Sequence, residues 1–137
     1  MELLAGIDAV RKYLADSGRR VTPENRGLSI AFPAGGKPRR LDFVWERVPG
    51  VVTLFVTLGE QRIPAARRVE IGGRLTELDT KLSAPGFYLG ESCVVYQTLL
   101  VLNHDGSVSA HALETILAAA AAELDRHVPA VMEILGG

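Results

Sequence analysis

GFYLGESCVVYQTLLVLNHDGSVSAHALETILAAAAAELDRHVPAVMEILGG, residues 86–137, reads as two strands, a tight turn and one long amphipathic helix. Phe87-Tyr88-Leu89 starts a short strand, and Cys93 to Leu102 is a longer apolar one. Asp105-Gly106 then supplies turn chemistry: the aspartate side chain bonds its own backbone, and glycine tolerates a left-handed conformation. Ser109 stands where a side-chain oxygen accepts an orphan amide hydrogen bond at a helix start, with Val108 and Leu113 placed as a hydrophobic staple. Beyond that cap Leu113, Leu117, Ala120, Leu124, Val128, Val131 and Leu135 recur at three- and four-residue steps and share one helix face. Pro129 removes one helical hydrogen bond and crowds the preceding turn, which predicts a kink near Asp125 or Arg126. The apolar face of this helix needs a sheet to lie on, and the upstream chain is read as its supplier.

Working back toward the start, Leu3, Ile7, Val10 and Leu14 predict a first helix over about Glu2 to Asp16, ended by Ser17-Gly18. Arg19 to Gly27 is polar and reads as a connection. Leu28, Ile30 and Phe32 alternate as a first strand that Pro33 ends, and Ala34-Gly35-Gly36-Lys37-Pro38 is a loop. Leu41, Phe43 and Trp45 mark a second strand, Pro49-Gly50 turns the chain, and Val51 to Leu58 is a third, with Val52, Leu54, Val56 and Leu58 on one face. Ile63-Pro64 opens a middle helix carrying Ile71, Leu75, Leu78 and Leu82. Gly72-Gly73 inside it costs about 2 kcal/mol relative to alanine, so the helix begins or bends there, or another backbone approaches. Ser83-Ala84-Pro85-Gly86 stops it. The order is helix, three strands, helix, two strands, helix: an α+β domain spanning 1–137, with a largely antiparallel sheet covered by helices on one side.

Composition limits the functional classes. A length of 137 residues suits one domain, and an apolar content of 47% with 23% charged residues is that of a folded protein. The net charge of -1 gives no global field to gather nucleic acid or anionic membrane. Cys93 is the sole cysteine, and the start of the chain carries no secretory signal pattern, so the expected compartment is the cytoplasm. Apolar tracts such as Ile116 to Ala122 fall short of the about 20 residues needed to span a bilayer.

This order of elements resembles the type III secretion chaperone-like fold, shared by class I secretion chaperones of the CesT/Tir type and by YbjN-like proteins, often labelled bacterial sensory transduction regulators. The likeness is most specific in Leu75-Thr76-Glu77-Leu78-Asp79-Thr80-Lys81-Leu82, in Gly86-Phe87-Tyr88-Leu89, in the strand around Val94-Val95-Tyr96, and in Gly106-Ser107-Val108-Ser109 before a helix ending near Pro129. These are similar to the YbjN-like pattern "LN-x-LN-x-x-L, G-x-F, strand, G-x-VS, helix, P". Thr76 and Asp79 replace the usual asparagines, and Gly72-Gly73 is additional. The resemblance implies a small, non-enzymatic, homodimeric protein that binds other proteins.

Residues that could carry other chemistry are few. His104-Asp105, His111 and His127 are dispersed, and neither they nor Cys93 form a nucleophile-and-base pattern, so no catalytic residue is assigned. No paired-ligand spacing suggests zinc, and no metal or cofactor is expected. Gly35-Gly36-Lys37 lacks the spacing of a phosphate loop and reads as a turn. Arg19-Arg20, Arg39-Arg40 and Arg67-Arg68 could form a basic patch, with Trp45 or Tyr96 as stacking platforms for single-stranded nucleic acid, but Asp42, Glu46, Glu60 and Glu70 are interleaved with them. Apolar residues in excess of one core face are more informative. Val44 and Val48, with Phe55, lie opposite the core stripes of their strands, and Gly72-Gly73 permits close backbone approach. Val44, Val48, Phe55, Gly72 and Gly73 are therefore the expected partner or dimer surface, unless a helix covers that face of the hairpin.

Overall fold

A computed structural model describes residues 2–46, 50–58, 63–79, 86–90 and 93–136. The elements are β1 (Leu3–Ala5), α1 (Gly6–Asp16), β2 (Val21–Glu24), β3 (Gly27–Ala31), β4 (Arg40–Trp45), β5 (Val51–Leu58), α2 (Arg68–Asp79), β6 (Gly86–Leu89), β7 (Val94–Val101), β8 (Ser107–Ser109) and α3 (Ala110–Gly136). A 3-10 turn over Ala65–Arg67 leads into α2. The strands form a six-stranded antiparallel sheet ordered β2-β3-β4-β5-β7-β6 and a separate two-stranded ribbon of β1 and β8.

The α+β class and the antiparallel sheet agree with the sequence reading, and three short strands correct its details. The first helix starts at Gly6 rather than Glu2, because Leu3 to Ala5 pair with Ser107 to Ser109. Leu4, not Leu3, is the buried residue there. The polar connection contains β2, which pairs with β3 through the turn at Asn25-Arg26. Pro23 and the single apolar residue Val21 make β2 an edge strand, so it lacks the alternation that marks a half-buried one.

Inward-facing residues of every strand in the large sheet meet all three described helices in one hydrophobic cluster. Leu28, Ile30, Leu41, Phe43, Val52, Leu54, Val56, Leu58, Val94, Tyr96 and Leu100 supply the sheet side. Val10 and Leu14 of α1, Ile71, Leu75 and Leu78 of α2, and Leu113, Leu117, Ala120, Leu124, Val128, Val131 and Ile134 of α3 supply the other. On α3 the expected stripe holds except at its end, where Ile134 is buried and Leu135 only half-buried. Ser109 caps α3 as its position predicts: its Oγ accepts the Ala112 N–H at 3.0 Å. α3 continues past Pro129 as one helix to Gly136.

Polar ties fix the helices to this frame. Glu114 of α3 receives both ends of the Arg19 guanidinium at 2.8 Å and the Tyr13 hydroxyl at 2.9 Å, joining α3 to the end of α1. These bonds, chiefly that of Arg19, hold the Glu114 carboxyl below its usual range. Arg67 donates to the carbonyls of Leu135 and Ile134, capping the far end of α3.

Two glycines of the fold differ sharply in what they tolerate. A Cβ on Gly27 would collide with the Phe43 carbonyl oxygen of the neighbouring strand, whereas one on Gly73, on the exposed side of α2, would meet nothing within 4 Å. Gly73→Ala is therefore expected to raise stability by about 0.5–1 kcal/mol in urea unfolding, and Gly27→Ala to lower it steeply. Equal effects of the two would contradict this placement of β3 against β4.

Candidate functional site

The strands of the large sheet have a second face, and the register reads it directly. Val44 lies opposite Thr53, and Thr53 opposite Leu99. Asp42 lies opposite Phe55, and Phe55 opposite Gln97. Val51 pairs with Val101, and Thr57 with Val95, itself opposite Tyr88. Side chains alternate between faces, so Val44, Val51, Phe55, Tyr88, Val95, Leu99 and Val101 share the side away from the helices. None of them belongs to the core cluster, although Val95 is itself buried. Leu99 is 36% exposed and Val101 72% exposed. Among the described residues no helix covers this face, so the covering helix considered from sequence is not found there.

Among the described residues, the charges on this face gather toward β2 and β4, where Glu24 accepts the Ser29 hydroxyl at 3.3 Å. Asp42 is nearly buried and bonded by Arg40 of its own strand, at 3.0 Å from Nε and 2.9 Å from Nη2. That pairing raises the Arg40 pKa, first through its side-chain hydrogen bond to Asp42. At the margin Thr53 donates to Glu46 at 2.6 Å. The outer residues of β5 and β7 are apolar or neutral, an arrangement that favours contact with an apolar surface over recognition of a charged ligand.

The expected surface residues separate into two places. Val44 and Phe55 are half-buried on the outer face. Gly72 and Gly73 lie in α2, which is continuous through both. A Cβ on Gly72 would come within 3.2 Å of Leu89 Cδ1, so the missing side chain makes room for β6 inside the fold. Val48 lies outside the described residues. Sequence reading did not pick out Val51, Leu99 and Val101. From Cys93 to Leu102 each alternate set holds one polar residue, Gln97 or Thr98, among apolar ones, so the pattern does not show which set faces inward, and pairing with Val51–Leu58 is the signal that resolves it.

Both edges of the large sheet are obstructed. Pro23 in β2 offers no N–H to an added strand. At the other edge α2 packs beside β6, and Asp79 Oδ1 accepts the Phe87 N–H at 2.8 Å. Arg68 Nη2 donates to the Gly90 carbonyl at 3.1 Å just beyond. A partner strand could not extend the sheet at these points.

The groups considered for other chemistry are placed elsewhere. Of the paired arginines, Arg19 is bound to Glu114, Arg39 Nε to the Ala34 carbonyl at 2.8 Å, Arg40 to Asp42, Arg67 to the end of α3 and Arg68 to Gly90. Trp45 leans on the core and stacks on Phe43 at 6.4 Å, and Tyr96 is buried against Phe87 at 5.3 Å. Neither aromatic is presented for base stacking. Burial, aided by Glu123, pushes the Tyr96 hydroxyl up to about 12. Gly35 and Gly36 form the tip of a tight turn, with Ala34 and Lys37 bonded to each other on either side. His104 and His111 are exposed, whereas His127 is buried with Nε2 3.8 Å from Glu123. Among the described residues no three His, Cys, Asp or Glu side chains are grouped to hold a metal, and no helix is long and apolar enough to cross a membrane.

Asp79 gives the blocked edge a testable signature. Burial raises its pKa, and the Phe87 N–H bond opposes that rise only in part. A raised carboxyl pKa means that folding is favoured when the group is protonated and loses that advantage as pH climbs through the folded value, so the ionised form is a cost at neutral pH. Asp79→Asn retains an acceptor without the charge and is expected to be as stable as the wild type or more so at pH 7. Asp79→Ala orphans the amide and should cost about 1–2 kcal/mol. Urea midpoints at pH 7 decide it; a loss for Asn as large as for Ala would show that the charge itself is needed.

No protein-family model matches the chain. A comparison with curated proteins finds no match either. Among solved structures, the chain is similar to the crystal structure of YbjN from E. coli, described there as a candidate transcription regulator, with a TM-score of 0.61 and 11% sequence identity over 92% of this chain and 93% of that one. At that identity the likeness is one of fold: the chain has a YbjN-like α+β architecture.

Proposed function

We propose that this chain is a non-enzymatic, cytoplasmic protein-binding module, chaperone-like or regulatory, whose open sheet face docks on an apolar surface of another protein or of a second copy of itself. The observation that carries the reading is the outer face: Val44, Val51, Phe55, Leu99 and Val101 lie together on the side opposite the helices and outside the core. Exposed apolar side chains grouped on one face are a common mark of an interaction site. The obstructed edges support face-to-face docking over strand addition. The fold shared with a protein described as a candidate transcription regulator is compatible with regulation through a protein partner. The same likeness gives weight to a nucleic-acid reading, but five arginines of the three pairs are engaged within the fold, which favours protein as the partner.

Paired variants test the proposal. Leu99→Ser with Val101→Ser alters the open face, and Val69→Ser alters an exposed apolar residue of α2 away from it. In affinity capture from the native lysate, proteins held by the wild type and by Val69→Ser are expected to be lost from the double variant, whose thermal unfolding stays close to that of the wild type. If the wild type forms an oligomer through this face, light scattering should show the double variant reverting to the 14.7 kDa monomer. Retention of the same proteins and the same mass by all three chains would overturn the proposal. A monomeric wild type that captures nothing would overturn it equally.

The nucleic-acid reading predicts affinity for single-stranded DNA that falls steeply with salt. We expect no retardation of a labelled oligonucleotide even at low salt. Tight binding that weakens as salt rises would replace protein with nucleic acid as the partner.

A further inference from the structure

We draw no further inference here: the strongest candidate, the apolar outer face of the six-stranded sheet around Val44, Phe55, Leu99 and Val101, belongs to the site already described, and nothing in the structure shows what covers it.

Discussion

Burial of one sheet face under three helices is the interaction on which the rest of this structure depends. Helices of 11 and 12 residues, the lengths of α1 and α2, are marginal in water on their own, and α2 also carries two interior glycines. They persist because Val10, Leu14, Ile71, Leu75 and Leu78 leave water together with the inner residues of β3, β4, β5 and β7. Each large aliphatic side chain so buried contributes roughly 1.5–3 kcal/mol, well above the helix-propensity deficit. The glycines follow the same demand, since Gly27 allows β4 to lie close and Gly72 leaves room for Leu89.

Covering one face fixes the character of the other. An antiparallel strand divides its residues between two faces, so the eight residues of β5 place Val52, Leu54, Val56 and Leu58 inward and Val51, Thr53, Phe55 and Thr57 outward. Had the outward set been polar throughout, the sheet would be an ordinary solvated one. Here valine, leucine and phenylalanine persist on the outside while Pro23 and Asp79 obstruct the edges. Obstructed edges limit indiscriminate strand pairing, and the apolar and neutral outer residues of β5 and β7 leave shape and hydrophobic contact to select a partner there.

Much of this was legible in the residues, and the misses have physical causes. The bounds of β5 follow from the residues, because its β-branched alternation is that of a half-buried strand. Ser109 and Val108 announced the start of α3 for a similar reason: capping is local chemistry, visible within a few residues. β1, β2 and β8 were not legible as strands, since each has three or four residues and is defined by its partner more than by its own pattern. Val44 and Phe55 stand out as surplus apolar residues, whereas Leu99 and Val101 are hidden in Leu99-Leu100-Val101-Leu102, where both alternate sets are apolar. The engagement of the arginines was also out of reach, because the Arg19–Glu114 contact joins residues 95 positions apart.

Leu99 and Leu100 provide the most direct test of a sheet buried on one side only. They are adjacent in β7 and identical in chemistry, yet one is 36% exposed on the open face and the other 2% exposed in the core. Equilibrium urea unfolding of Leu99→Ala and Leu100→Ala at a concentration where the chain is monomeric isolates the difference. The account predicts a loss of about 2–5 kcal/mol for Leu100→Ala and less than about 1 kcal/mol for Leu99→Ala. Comparable losses at the two positions would mean that the outer face is packed within the same chain, and would contradict the one-sided core and the surface it leaves open.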